Sequence, residues 1–483
     1  MSISSALLSA KSGLIAVGAR ADIVSQNIAN ASTPGYVRRS ITVSETILGG
    51  ETAGVQVVSV DRAQDVNATN ERRRLGSELA QSDILTETWG TLSRRIGDDL
   101  ESSTLFQSIT ALDNAMKNAV QSPESTTHAN EVVRTANNLA NEFNSLSTLI
   151  QSERQRADQD IATTVNNLNA ALKQIEELNQ SIAKVDRTTA QAAALFDERG
   201  RVLDQISQYL PIQTFPRESG AIDVLTSEGV SLVAGVAKTI EFTPGSTIGP
   251  NISLANGSLS GLQVEDLNIT PGAGTFGAVS SGSLAALFTL RDTDLPELAT
   301  QLDAIAQDLV DRFSDPAIDP TNPAGSPGLF VDTNAAAGPG VAGRIELNAL
   351  VDPDRGGASW RLRDGLGATV QGPPGYNTIL SNLSNAFETV QNVNVPGLQG
   401  GYMATDLVAQ LGTLAGQQRI QNESVYSSIS LQFDTVQRVE ASEIAVDIET
   451  ELQALLLIEQ AYAANARVIE AASQMVNQLI EIT

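Results

Sequence analysis

The sequence predicts a mainly α chain with a β-rich insertion, arranged as discontinuous, nested domains. Three observations lead there. Both ends carry apolar residues at alternating spacings of four and three, the heptad rhythm of helices that pair through one narrow seam. Of the 17 prolines, 15 fall between Pro211 and Pro396. Proline is excluded from helix interiors, so the flanks can hold long helices. The proline-rich middle is dense in Gly, Asn and Asp around short alternating runs, a pattern of short strands joined by turns.

The N-terminal seam is Ile3, Leu7, Ala10, Leu14, Val17, Ala21, Val24 and Ile28. Its helix stops within Ser25–Thr33, where Asn and Ser accumulate. Pro34 and Gly35 suit the two central positions of a type II turn, and Tyr36–Val43 reads as a strand by its β-branched content. A third seam, Ile161, Val165, Leu168, Leu172, Ile175, Asn179 and Ile182, lies between Pro123 and Pro211. Asn179 suits either a register-fixing polar contact between helices or a plain irregularity of the seam. A further proline-free segment, Leu414–Val439, is expected to return beside it. In the middle, Ala221–Thr226 and Val230–Val233 alternate around a turn at Ser227–Gly229, and 315–400 reads as short strands with loops. One helix interrupts the β-rich parts. Asp294 is its expected N-cap, Pro296 lies near its first turn, and Leu298, Leu302, Ile305, Leu309 and Phe313 line one face. That helix is expected to pack on the helical body, not on the strands. The C-terminal seam is Leu455, Ile458, Tyr462, Asn465, Ile469, Ala472, Val476 and Leu479. The resulting plan has a terminal coiled-coil assembly domain (1–40 with 445–483), a helical body (41–210, 284–314 and 401–444) and a β-rich outer insertion (211–283 and 315–400).

Composition narrows the function classes. The chain has no cysteine and one histidine, so disulfides, thiol chemistry and most His-based catalysis or zinc binding lack their residues. His128 is expected to be exposed, and Trp89 and Trp360 to be core residues. The net charge of −26 argues against a nucleic-acid partner. The charge is not evenly spread. Residues 1–40 hold Lys11, Arg20, Arg38 and Arg39 against Asp22, net +3, while 444–483 hold six carboxylates against Arg467, net −5. The two ends are therefore electrostatically matched. No run is long and apolar enough to span a bilayer. Ile3–Ile28 is interrupted by Lys11, Arg20 and Asp22, unlike a Sec signal peptide. No catalytic, cofactor or metal constellation emerges. Asp315–Pro320 lacks calcium-loop spacing, and Gly338–Gly343 is a poor phosphate cradle because Pro339 removes a donor. Asn30-Ala31-Ser32 matches a glycosylation sequon but is already accounted for by the helix stop.

The segment NIANASTPGY (Asn27–Tyr36) resembles the N-terminal signature of the bacterial flagellar rod, hook and hook-associated axial proteins. LQALLLIEQAYAANARVIEAASQMVNQLI (Leu452–Ile480) resembles their C-terminal signature. Ser103–Leu149, Leu195–Leu210 and Leu284–Phe313 are similar to interior segments of the hook-associated protein 1 family. The resemblance implies a structural, non-enzymatic subunit joining hook to filament, exported through the flagellar type III apparatus to the cell exterior. Its implied partners are the hook protein, a second hook–filament junction protein, copies of itself in an axial ring, and an export chaperone at the C-terminal helix. A hook or distal-rod subunit, or a flagellar scaffold carrying an outer adhesin or hydrolase, are the alternatives. On this reading the assembly seam is Ile3, Leu7, Leu14, Val17, Val24, Ile28, Leu455, Ile458, Tyr462, Ile469, Val476 and Leu479. The family turn motif is Asn27, Asn30, Pro34, Gly35 and Tyr36. A single narrow seam cannot bury itself, so both ends are expected to fold on joining the axial structure.

Overall fold

The structure, a computed structural model, describes residues 3–33, 35–48, 51–97, 104–186 and 189–482. Helix α1 (Ile3–Asn30) leads into an antiparallel hairpin of β1 (Arg39–Leu48) and β2 (Glu51–Arg62). Helices α2 (Val66–Ile96), α3 (Thr104–Gln121), α4 (Thr126–Ile182) and α5 (Ala190–Tyr209) follow. Strands β3 (Ile212–Pro216), β4 (Ile222–Thr226), β5 (Ser231–Ala234) and β6 (Val236–Ala237) form an antiparallel sheet in that order. A smaller one holds β7 (Ile240–Glu241), β8 (Gln263–Val264) and β9 (Leu267–Asn268). Helix α6 (Ser283–Thr289) continues through a π-turn, Leu290–Asp294, into α7 (Leu295–Ser314). Strands β10 (Phe330–Asp332) and β11 (Ile345–Leu347) pair, as do β12 (Gln391–Val395) and β13 (Leu398–Tyr402). Between the pairs lie α8 (Arg361–Asp364) and α9 (Thr378–Glu388), and α10 (Ala404–Ile444) and α11 (Ile448–Ile482) close the chain. The hairpin β1–β2 falls in a stretch the sequence reading assigned to the helical body.

Helix α4 is the spine. Ser125 caps it, its hydroxyl accepting from His128 N at 3.3 Å. All seven residues of its predicted seam are buried. What covers the helix differs from expectation: α3, α5, α6 and α7, but also β5, β6, β7 and β11. An apolar row demands burial and does not specify whether a helix or a strand supplies it. The polar residues of α4 supply the register. Asn179 donates to Ile222 O at 2.9 Å and accepts from Ile222 N at 3.1 Å. It fixes strand β4 on the helix rather than one helix on another. Asn169 grips Ile240 in the same two-sided way, at 2.9 and 2.8 Å. Gln155 donates to Gly245 O and accepts from Ile248 N. Asn144 donates to Ala342 O and Ile345 O. The insertion is thus stapled to α4 through backbone groups along much of its length.

Helix α10 lies along α2, not beside the α4 seam. Asp294 is not an N-cap. It has helical dihedrals, and its carboxylate accepts from the Trp89 indole at 3.0 Å. The helix is continuous because the π-turn absorbs Pro296, which lacks an N–H and crowds the carbonyl four residues earlier. Leu295 N reaches back to Leu290 O instead. Helix α7 packs on α4 and α10, but also on β10 and β12, so the expected separation from strands does not hold. Phe313 packs against Phe330 and Phe387 at 5.7 and 5.2 Å between ring centres. Arg312 donates to Ala386 O at 2.6 Å. Trp89 is buried, whereas Trp360 is half-buried beneath the Arg361 guanidinium. His128 is half-buried at the start of α4, not exposed. The Gly338–Gly343 segment cradles a carboxylate of its own chain: Asp303 accepts from Gly340 N at 2.6 Å and Ala342 N at 2.9 Å.

Candidate assembly site

Helices α1 and α11 pack together, and α1 also carries the β1–β2 hairpin along its side. Gly13 lies on Asn465 and Asn27 on Glu451, so the pair is antiparallel. A Cβ at Gly13 would stand 2.9 Å from Asn465 Oδ1, so the Asn465 amide would have to turn aside to admit any larger residue. Gly54 has φ +112°, and a Cβ there would collide with Ser12 Oγ. That hydroxyl instead accepts from Val55 N at 3.1 Å, tying the hairpin to the helix.

The predicted seam residues are only partly covered by this pairing. In α1, Ala10 and Val24 are buried, Leu14, Val17, Ala21 and Ile28 are half-buried, and Leu7 is exposed. In α11, Ala472 is buried and Ile458, Asn465 and Ile469 are half-buried, while Leu455, Tyr462 and Val476 are exposed. The side chains of Ile3 and Leu479 lie outside the described residues. The seams therefore meet within one chain, contrary to the expectation that they wait for assembly. Yet the pair stays apolar on its outside. Leu8 and Ile15 on α1, and Leu452, Leu456, Leu457, Val468, Met475 and Ile480 on α11, are all exposed. None of these was in the predicted seam. Their signal was present, since Leu8 and Ile15, and Val468 and Met475, each recur at seven in a second phase.

The turn motif ties this pair to the rest of the molecule. Gly35 has φ +76°, the positive value a type II turn needs at its third position, and Tyr36 N donates to Thr33 O at 3.1 Å. Pro34 lies outside the described residues. Asn30 donates to Gln26 O at 2.9 Å, back onto the last turn of α1. Asn27 is fully buried and uses all its polar capacity. Its amide donates to Arg39 O at 2.8 Å and Glu451 Oε2 at 3.1 Å. Its carbonyl accepts from Tyr36 Oη at 2.9 Å and Arg39 N at 3.1 Å. Glu451, also buried, accepts from Arg38 Nε at 2.7 Å. Arg39 stacks on the Tyr36 ring at 4.7 Å and donates to Asp197 at 2.8 Å. Arg62 reaches the other oxygen of Asp197 at 2.6 Å. Burial holds the Tyr36 hydroxyl above the usual phenol range, so it stays a neutral donor. One buried knot therefore joins α1, the hairpin, α5 and α11.

The break between α10 and α11 sits at the knot. Ala445 is extended, Arg38 N donates to Ile444 O at 2.9 Å, and Asp447 takes Glu449 N at 3.0 Å and Thr450 Oγ1 at 2.7 Å. Those bonds at the start of α11 hold the Asp447 carboxyl below the usual range. The sequence marked Asn27 and Tyr36 but missed Glu451, Asp197 and Arg62, whose partners are remote in the chain. The arrangement holds helices in place and presents apolar surface. Among the described residues no cluster of three or more His, Cys, Asp or Glu could hold a metal.

Comparison with known proteins identifies related chains. Residues 94–317 match the model of the flagellar hook-associated protein FlgK helical domain, and 7–36 match that of the flagella basal body rod protein. Flagellar hook-associated protein 1 of Salmonella typhimurium is 24% identical over 65% of this chain and 56% of its own length. This chain thus spans little more than half of that relative. The Bacillus subtilis protein of the same name is 21% identical over 98% of this chain and 97% of its own. The solved flagellar hook junction protein FlgK from Burkholderia pseudomallei is similar over 54% of this chain and 46% of that one, at 17% identity and a TM-score of 0.43. With the rod-protein match on α1 and the helical-domain match over α3 to α7, the chain is similar to the flagellar hook-associated protein 1 family at both its N-terminal helix and its helical body.

Proposed function

We propose that this chain is a structural subunit of the bacterial flagellum that forms the junction between hook and filament. The observation that carries this reading is the α1–α11 pair. It is built from segments remote in the chain, pinned to the body by the Asn27–Glu451 knot, and apolar on its outer faces. Such a surface requires further protein to cover it. Its seam residues, Leu7, Leu14, Val17, Val24, Ile28, Leu455, Ile458, Tyr462, Ile469 and Val476 with Ile3 and Leu479, contribute to the axial contact. The terminal segments (1–40 with 445–483) and hairpin β1–β2 face the axis. The helical body surrounds them, and 211–283 with 315–400 face outward. The partners are the hook protein, a second junction protein and copies of the same chain in an axial ring. An export chaperone covers the C-terminal helix before type III export to the cell exterior. The role is geometric rather than enzymatic. Electron microscopy of a strain lacking the protein tests this. Hooks without filaments, with filament subunits shed to the medium, are expected. Stunted or absent hooks would point instead to a hook or distal-rod subunit.

A further inference from the structure

A cleft of about 940 Å³ opens where the knot, α2, α5 and strand β4 meet. The chain as a whole is strongly acidic, but this cleft is not. Its walls carry six arginines, Arg62, Arg72, Arg73, Arg199, Arg201 and Arg217, and four carboxylates, and two further acids beside it pair with Arg201 (Glu198, 2.6 Å) and Arg217 (Asp223, 2.5 Å). Three of those carboxylates are already engaged: Asp197 by Arg39 and Arg62, Asp204 by Arg72 and Arg73, Glu440 by Arg72 and Thr69. Arg199 is different. It is nine-tenths buried, stacks on Phe196 at 5.0 Å, and gives its Nη1 to two neutral acceptors, Asn179 Oδ1 at 3.1 Å and Gly220 O at 2.8 Å. Among the described residues no carboxylate forms an ion pair with it. Arg62 and Arg73 converge on the same place from opposite elements. The Arg73 guanidinium donates to Gly200 O at 3.4 Å, and a Cβ on Gly200 would lie 3.7 Å from Arg62 Nη2. Burial, and then the charges of Arg62 and Arg73, push the Arg199 guanidinium down to about 10. A buried cation beside like charges, with no acid of its own, is stabilised by an anion brought from outside.

We infer that this cleft is an anion site in which Arg199, with Arg62 and Arg73 beside it and Arg201, paired with Glu198, on the cleft's rim, receives an oxyanion, either carboxylate or phosphate. Planar guanidinium groups suit such ligands because they offer paired donors. The site is distinct from the apolar surface of the terminal pair and does not depend on the junction reading.

Titration calorimetry of the full chain with inorganic phosphate, against chloride at matched ionic strength, tests the site. Saturable binding of about one phosphate per chain is expected, weakened about tenfold or more by Arg199→Gln, as for loss of one charge-assisted contact. Arg199 also anchors Gly220, so circular dichroism must show the variant folded. Arg201→Gln, on the exposed rim, provides a second reading and should weaken phosphate severalfold with the fold intact. No saturable binding, or binding unchanged in both variants, would overturn the inference. Sedimentation of concentrated protein then separates the two sources. Competition between phosphate and self-association identifies a carboxylate of a second copy as the occupant. Phosphate binding without any effect on association identifies a free oxyanion.

Discussion

Asn27 shows how much one side chain can organise. Its amide plane satisfies four groups from the start of β1, from Tyr36 and from α11, all away from water. Asn27→Ala would strand a backbone N–H and a carboxylate oxygen, and should cost about 2–3 kcal/mol. Hydrogen exchange should show that loss first at Arg39 and in the first turn of α11. Asn27→Asp is the sharper test, because it sets a second carboxylate against Glu451 where a donor stood. It should be more damaging at neutral pH than Asn27→Ala and partly recover as acid protonates one of the pair. Equal damage at all pH values would mean that the Glu451 contact is not made. Asp332 gives a second test with a definite sign. Its hydrogen bond from Arg344 holds its carboxyl below the usual aspartate range, despite some burial. The folded form binds the proton less tightly than the unfolded one. Its stabilisation is therefore present above the ordinary aspartate pKa of about 3.9 and is lost as pH falls from there through the lower folded value. Asp332→Asn should lower stability by about 1–2 kcal/mol at pH 7, and the difference from the parent chain should shrink on acidification. From sequence, Asn27 was legible as a helix stop and Tyr36 as a strand start. Their bond to Glu451 was not, because no periodicity links residues so far apart in the chain.

At the scale of elements, α4 teaches the clearest lesson. Its seam was read from spacing alone, and every member is buried. The partners were misread, since strands and helices both cover it. The backbone of a packed strand needs donors and acceptors at its unpaired positions, and Asn169 and Asn179 supply them. Asn179→Leu should therefore cost about 2–3 kcal/mol even though it makes the seam more regular, because Ile222 loses both partners and Arg199 loses one. If the substitution proved neutral or stabilising in thermal unfolding, the polar contact would be incidental to the register of β4. The terminal helices carry the complementary prediction. Leu14 and Ile469 are half-buried in the α1–α11 pair. Leu14→Asp or Ile469→Asp puts a charge into that apolar contact at about 2–4 kcal/mol. Filament attachment should fail while the helical body keeps its thermal transition. Secretion must be assayed separately for Ile469→Asp.

Over the whole molecule, charge and apolar surface are distributed in opposition. The body and insertion hold the large buried core, and the α1–α11 pair shows leucines, valines and isoleucines to the outside. The pairing of an N-terminal segment of +3 with a C-terminal one of −5 is the arrangement their signs favour. Lys11 and Arg20 are exposed on α1, whereas the ion pair that joins the two segments directly, Arg38–Glu451, has its carboxylate buried. Exposed charges contribute about 0–1 kcal/mol each and are screened by salt. Lys11→Glu with Arg20→Glu should therefore weaken assembly at low ionic strength, with the deficit shrinking as salt is added. Assembly unchanged at low salt would leave apolar packing and the buried knot as the whole basis of specificity.

The sequence by itself determined the class of the molecule. Heptad spacing and the position of the prolines decide where long helices can and cannot run, and both are local properties of the chain. The absence of cysteine and the single histidine bound its chemistry in the same way, by supply. Tertiary structure alone decided who meets whom. It placed strands over a heptad seam and laid α10 on α2. It let a π-turn carry a continuous helix through Pro296, and gathered Asn27, Arg39, Asp197 and Glu451 into one buried knot. Those outcomes depend on hydrogen-bond satisfaction between segments remote in sequence, and an apolar pattern records only that a face must be buried, not what buries it.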